Sequence, residues 1–374
     1  MLYTAAQVME FTEQEDVKFV RLAFFDALGH PKAVSIAPCQ LHRAFTRGIA
    51  FDPFGIDGYS DAGTMLRLFP IPDTCMLLPR TLSNEKTVRM YCSVRHPDGT
   101  PFQGDVREIL YRADQAATKM GLSLHFSWEY TFYLFNIDPE GNPTRIPHDR
   151  AGYLDTAPSD KGEQIRKEIC LELEQMHVYT CLSQHCRGPG QHLIRSCNGN
   201  TMETADNAAS FCMTVHTAAH RHGLHASFTP KPLPNAIGNR LHIRISAAQH
   251  TDSFFAGIQT HLRDMTVFAN PTYQSYERLH TLRAENRTSP VYISDEEPSQ
   301  IILTAPDPAA NPYILLTLLI YAGSDGVRRG LVPAEKHGFG KLPGTLEEAS
   351  RFAGISDFIG AVLPRQVTDA YLKQ

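Results

Sequence analysis

Residues 183–195 read SQHCRGPGQHLIR and set two histidines and a cysteine around a Gly-Pro-Gly turn. Imidazole nitrogen and thiolate sulfur together suit a borderline metal such as Zn²⁺, and Cys181 and Cys197 lie close by in the chain. A thiol beside an imidazole is also how a cysteine nucleophile is built. Both readings meet the same obstacle. The stretch reads as two short strands, whose successive residues face opposite ways, so Cys181, Ser183 and His185 share one face and Cys186 takes the other. The spacing matches no familiar zinc module, and a free cysteine commonly serves as a small buried hydrophobe. Core packing is therefore the expectation for Cys186. Among other chemistry-bearing patterns, the chain has no Gly-x-x-x-x-Gly-Lys loop, Gly-x-Gly-x-x-Gly fingerprint, Gly-x-Ser-x-Gly elbow or Cys-x-x-Cys pair.

Composition narrows the remaining classes. A chain of 374 residues can bury two domains. Its 42% hydrophobic and 20% charged residues are those of an ordinary globular protein. A net charge of -5 supplies no field suited to nucleic acid or an anionic membrane, so neither is expected as a partner. The longest apolar run, YILLTLLIYA at 313–322, is too short to span a bilayer and predicts a buried helix. The first residues lack the basic-then-apolar pattern of a signal peptide, which predicts a cytoplasmic protein whose eight cysteines stay reduced.

Several elements must position these residues. VKFVRLAFFDALGHPKAVSI (17–36) predicts two strands around a turn at Asp26–Gly29, and further short β segments follow between residues 64 and 96. After the turn cluster PDGTPFQGD, Asp105 predicts the cap of a helix beginning VREIL. The boundary is placed there, giving a β-rich domain over 1–102 and a larger one over 103–374. The second domain mixes a long aromatic strand near 124–138, a helix over 159–176, the Gly-Pro-Gly hairpin, a helix over 205–222 and the strand LHIRISAA. Strands and helices do not alternate regularly, so the fold class is α+β rather than a doubly wound parallel sheet.

With these elements in order, the chain resembles the glutamine synthetase family, type I-like, over nearly its whole length. The resemblance rests on FDPFGIDGYSD, PDGTPFQGDVREIL, YLDTAPSDKGEQIRKEICLELEQM, GPGQH, HGLHASFTPKPL, NPTYQSYERL, ENRTSP and APDPAANPY. It implies a small β-grasp-like N-terminal domain, a catalytic domain built on a curved antiparallel sheet, and active sites between subunits of double-ring dodecamers. It also implies a chemistry. ATP converts the γ-carboxylate of glutamate to an acyl phosphate that ammonia attacks, and hard divalent ions held by carboxylates neutralise the phosphates.

By this resemblance, three glutamates that hold one ion fall at Thr131, Cys186 and Leu193, and the ligands of a second ion at Glu129, His242 and Ile302. Four of the six positions are lost and Glu129 and His242 remain, either as a weak metal pair or satisfying each other. Arg278 falls where an arginine contacts the substrate carboxylate, and Arg287 where one lies near the ATP phosphates. Two further family arginines become Tyr292 and Thr304. Ile237 replaces a substrate-binding asparagine, while Gly238 is kept. Asp52 and Asp57 lie in a loop that a neighbouring subunit offers to the site, and Trp128 beside Glu129 is expected to pack, tending to fill the pocket. Only HTLRAE (280–285) separates SYERL from NRTSP, where the family carries a lid. Water exclusion protects an acyl phosphate, so the lost lid and the lost ligands point the same way.

The expectation is a divergent member with a degraded active site: a ring-forming pseudoenzyme with a regulatory, structural or metabolite-binding role. At most it would bind ATP and Mg²⁺ or Mn²⁺ weakly. It would assemble with itself, or with an active glutamine synthetase. The alternative is an ATP-dependent γ-glutamyl or carboxylate–amine ligase acting on a larger amine.

Overall fold

A computed structural model describes residues 3–79, 85–247, 250–284, 289–295, 300–333 and 341–373. Two compact units result, one from residues 1–111 with 363–374 and one from 112–362.

The first unit opens with helix α1 (Ala5–Gln14), whose cap Thr4 and Gln7 bond each other's backbone reciprocally. Strands β1 (Phe19–Phe25) and β2 (Pro31–Ile36) form the hairpin expected around Asp26–Gly29, followed by α2 (Leu41–Arg47), β3 (Ile49–Phe51), β4 (Leu66–Pro70), β5 (Met76–Leu77) and β6 (Thr87–Arg95). The sheet order is β2-β1-β6-β4-β3, with β5 on β6, and β1 runs parallel to β6. This is a β-grasp arrangement, and Val20, Leu22, Leu68, Met90 and Val94 pack its core. Asp105 accepts the Arg107 and Glu108 amides and so caps α3 (Val106–Lys119) as its residue type predicts. The final helix returns to this unit, a long-range association that no local pattern announces.

The second unit is organised by one 13-residue strand, β7 (His125–Ile137). Strands β8 (Pro143–Pro147), β9 (Thr180–His185), β10 (Gln191–Ser196), β11 (Leu224–Ser227), β12 (Leu241–Ser246), β13 (Val291–Ile293) and β14 (Ile301–Leu303) complete an eight-stranded sheet in the order β13-β14-β12-β7-β10-β9, with β8 and β11 on the far half of β7. The helices are α4 (Glu163–Gln175), α5 (Thr201–Arg221), α6 (Thr251–His261), α7 (Thr266–Ala269), α8 (Tyr273–Ala284), α9 (Pro312–Arg329), α10 (Leu346–Gly354) and α11 (Asp357–Val362); α12 (Arg365–Leu372) belongs to the first unit. The apolar run 313–322 lies in α9, where Pro312 and the side chain of Asn311 start the helix, and it is buried as expected.

Strand alternation divides β7. Trp128, Tyr130 and Phe132 pack on Phe211 of α5, with ring centroids 4.6, 5.3 and 6.1 Å away. Residues 127, 129 and 131 face the other way. Trp128 thus packs as expected but does not fill the cleft, because it stands on the opposite face from Glu129. The β9–β10 turn depends on its glycines. A Cβ at Gly188 would meet the Tyr133 hydroxyl at 2.1 Å, and Gly190 has φ +66 with the Leu134 carbonyl 2.8 Å from a built Cβ.

Candidate functional site

Register brings the expected positions together. On β7, Glu129 sits opposite His242 of β12 on one side and Arg195 of β10 on the other. Thr131 sits opposite Leu193, and Ile302 of β14 sits opposite Arg244, one strand further on.

The Glu129 carboxylate is fully engaged. Arg195 holds Oε2 through Nε at 2.7 Å and Nη2 at 2.5 Å, and His242 Nδ1 lies 3.2 Å from Oε1. Burial pushes the Glu129 pKa up, but His242 and Arg195 outweigh it and hold the group at about 2. Burial is also the largest influence on His242 and lowers its pKa, favouring the neutral ring. The Glu129–His242 pair therefore includes a third partner. The cation beside Glu129 is a guanidinium two residues past Leu193, on the same strand face.

Thr131, Leu193, Ile302 and Cys186 each have a structural use. Thr131 Oγ1 accepts the Arg240 amide at 2.7 Å and donates to Asn239 Oδ1 at 3.3 Å, clipping β7 to the loop that enters β12. Leu193 and Ile302 are buried apolar side chains. Cys186 is buried, its amide bonded to the Gln191 carbonyl, and burial pushes its thiol up to about 12. A thiol so held is neither a thiolate nucleophile nor a ready metal ligand, in keeping with the packing expected of it.

Arg278 of α8 is 1% exposed. It donates to Asn270 Oδ1 at 2.8 Å and to the Ala305 carbonyl, and its Nε lies 3.7 Å from Asp307 Oδ2. Its Nε and Nη1 have no hydrogen-bond partner among the described residues. A Cβ at Gly238 would stand 2.7 Å from Arg278 Cγ, so the glycine makes room for this side chain. Arg287 lies outside the described residues, as does Glu285. The short connection after SYERL is helical as far as Ala284, since α8 continues through it. In the first unit, Asp52 accepts the Phe54 amide at 2.9 Å in a turn of its own, and the Asp57 carbonyl accepts the Ala27 amide at 3.0 Å.

Behind the hairpin, on the other face of β10, lies a second polar cluster. Asp149, Asp160, His185 and His192 are buried with ligand atoms within 4.8 Å of one another. The cation among them is again an arginine. Arg166 of α4 donates to His192 Nδ1 at 2.8 Å, Asp160 Oδ1 at 3.1 Å and Ser183 Oγ at 3.1 Å, and pairs with Asp160 Oδ2 at 2.7 Å. His185 Nε2 lies 3.0 Å from Asp149 Oδ1, and its Nδ1 lies 2.8 Å from the Cys186 carbonyl. Both partners are acceptors, so both ring nitrogens donate, and the His185 pKa is raised despite the opposing effect of burial. His192 accepts from a guanidinium, and burial with Arg166 drives its pKa well below the ordinary value. The hairpin's soft donors thus separate: the histidines join this network, Cys186 is buried, and Cys181 and Cys197 are exposed.

A divalent ion does not fit the cleft as built. Mg²⁺ and Mn²⁺ need several hard oxygen donors. Of the six positions only Glu129 offers a carboxylate, and it is paired with Arg195. Sequence reading passed over Arg195 and Arg240. The signal for Arg195 was available, because a period of two places it beside Leu193.

A β-grasp unit preceding a domain built on an eight-stranded antiparallel sheet with flanking helices is the architecture of the glutamine synthetases. Residues 16–97 match the glutamine synthetase β-grasp domain and residues 103–374 the glutamine synthetase catalytic domain, so the chain belongs to the glutamine synthetase family. Its relatives include the glutamine synthetases of Thermus thermophilus, 34% identical over 93% of this chain and 89% of that protein, and Methanosarcina mazei, 32% identical over 99% and 92%. Among solved structures, "Apo GmaS without ligand" shares the fold with a TM-score of 0.87 at 24% identity, over 100% of this chain and 94% of that one. Plasmodium falciparum glutamine synthetase does so with a TM-score of 0.86 at 17% identity, over 99% and 95%. No helix among the described residues is long and apolar enough to cross a membrane.

Proposed function

We propose that this family member keeps the glutamine synthetase fold and cleft but has given up metal-dependent joining of ammonia to glutamate, and acts instead by binding a metabolite or a partner subunit. The observation that carries this reading is the engagement of Glu129 by Arg195 and His242. A carboxylate neutralised by a fixed guanidinium has little left to offer Mg²⁺, and Thr131, Cys186, Leu193 and Ile302 supply no replacement. What supports the reading is that the cation beside Glu129 belongs to the chain itself. Purified protein given glutamate, ATP, hydroxylamine and Mg²⁺ or Mn²⁺ is expected to form no γ-glutamyl hydroxamate above an enzyme-free blank. Steady product formation would refute the reading.

The helical connection after SYERL, with Leu193 lining the cleft, supports a second reading as a ligase for a larger amine. ATP consumption that depends on glutamate and on an added alkylamine would favour it. On family grounds the chain is also proposed to assemble with itself, as a double-ring dodecamer, or with an active glutamine synthetase. Sedimentation at a mass near the single chain's 41.8 kDa, alone and in such a mixture, would count against both.

A further inference from the structure

We propose that Cys181 and Cys197 form a two-thiol modification site at the open end of the β9–β10 hairpin, which a small-molecule disulfide oxidises to a reversible intrachain bond. Neither residue is among the six expected ligand positions, so this chemistry goes beyond the preceding reading and stands whether or not ligase activity is kept.

Strand register brings the two thiols together. Leu182 pairs with Arg195, but the next pair is Thr180 with Ser196, so Cys181 is an extra residue in β9. Such a bulge sets two residues of one strand against one of its partner and re-aims a side chain. The Cys181 thiol donates to the Ser196 carbonyl at 3.3 Å, and that carbonyl belongs to the peptide group that carries the Cys197 nitrogen. The Cys197 amide in turn donates to the Tyr179 carbonyl at 2.8 Å, which clasps the residue after β10 to the residue before β9. Both cysteines are exposed, and of the eight in the chain only Cys39, in the first unit, is exposed as well. Burial and the neighbouring Cys197 thiol raise the Cys181 pKa, against the opposing guanidinium groups of Arg195 and Arg244.

These contacts divide the work between the thiols. Cys181 keeps its proton on the Ser196 carbonyl, which leaves the first attack to Cys197. The Cys197 thiolate attacks one sulfur of the small disulfide, whose S–S bond breaks. One small thiolate leaves and takes up the Cys197 proton, and a mixed disulfide remains on Cys197. Cys181 then gives up its proton, and its sulfur attacks Cys197 Sγ. The second small thiolate is expelled and takes that proton. Two electrons have passed from the protein thiols to the small disulfide, leaving two small thiols and one Cys181–Cys197 bond, with no other reactant. The new bond closes a short loop through the Gly-Pro-Gly turn and ties β9 to β10 beside Arg195. An exposed disulfide is open to attack by the same small thiols, so an excess of them runs the step backward.

The test is intact mass and peptide mapping on the full chain, first reduced and then exposed in its folded state to oxidised glutathione, with remaining thiols blocked before digestion. Wild type is expected to lose the mass of two hydrogens and to yield a peptide pair joined through Cys181 and Cys197. Excess reduced glutathione is expected to restore both thiols. Cys181→Ser is expected to stop at a glutathione adduct on Cys197, and Cys197→Ser to react at Cys181 about tenfold more slowly. Cys39→Ser is expected to behave as wild type. Adducts on both cysteines with no joined peptide would make them independent surface thiols and overturn the proposal. So would an absence of reaction, a bond between two chains, a bond formed only after denaturation, or one that excess reduced glutathione leaves in place. None of these outcomes bears on hydroxamate formation, so the loss of ligase activity is judged separately.

Discussion

His192 and Leu193 are consecutive residues of β10, and they point into two polar regions that have reached opposite states. Behind His192, two buried aspartates are met by Arg166 and a doubly donating His185, so the charges balance around a neutral His192. In front, Arg195 and His242 hold Glu129, and among the described residues Arg240 Nε and Arg278 Nε and Nη1 make no hydrogen bond. The rear cluster is held by ion pairs and the Arg166–His192 bond, although His192 Nε2 and Asp149 Oδ2 make no hydrogen bond among the described residues. The same strand therefore carries an aspartate–histidine cluster on one side and an arginine-held glutamate on the other.

The comparison breaks most severely if the rear network is not structural. Arg166→Leu removes the cation shared by Asp160 and His192 and strands a buried carboxylate. It is expected to cost about 3–5 kcal/mol, as removal of one partner from a buried ion pair does. Urea unfolding of the two proteins side by side measures it, and a loss under 1 kcal/mol would mean the network is idle.

On the cleft side, Glu129→Gln leaves Arg195 facing a neutral group and is expected to cost less, about 2–3 kcal/mol, because Arg195 remains a quarter exposed. The double variant Glu129→Gln with Arg195→Leu should recover part of that loss. Additive losses would show that the pair does not act as a unit.

How much of this difference could be read from residues alone depends on distance along the chain. The strands of the Gly-Pro-Gly hairpin, the Asp105 cap and the buried α9 follow from local patterns, and the fold class followed with them. Cys186 was legible as packing because free thiols are commonly buried. Arg195 was legible in principle, since alternation places it beside Leu193. Trp128 was read without that alternation, and so was placed toward the pocket it turns away from. Arg166 and His192 are separated by 26 positions, and Arg240 meets Arg278 only after α8 folds back, so neither cluster has a local signature. A residue type announces itself in sequence, whereas the arginine that pairs with Glu129 does so only once the strands are in register.

The pH dependence of stability sharpens the comparison further. His192 has a folded pKa well below the ordinary 6.5. Below pH 6.5 the unfolded chain therefore takes up a proton that the folded chain refuses, and stability falls by up to about 1.4 kcal/mol per pH unit. His185 works in the opposite sense. Its folded pKa is raised, so its contribution is complete below 6.5 and is lost as pH rises through the folded value. Together the two place a stability maximum near pH 6.5. His192→Asn should flatten the acid limb between pH 6.5 and 5 and leave the alkaline limb alone. His148, His216 and His242 shift in the same direction as His192, so the limb should shrink rather than vanish. Unfolding free energies across this range would decide it, and an unchanged acid limb would deny His192 its buried neutral state.

The smallest expected effect falls at Cys186, which lies at the turn between the two regions. Its thiol is 3% exposed and pushed up to about 12 by burial, so at pH 8 only about one part in ten thousand would be thiolate. Iodoacetamide should label the exposed Cys181 and Cys197 in the native protein while sparing Cys186 until the chain unfolds. Cys186→Ala keeps the backbone bond to Gln191 and leaves a cavity about one sulfur atom in size, for which about 1 kcal/mol is the expected loss. Rapid native labelling of Cys186 would show a reactive thiol in place of the packed one and bring chemistry to the turn between the two regions.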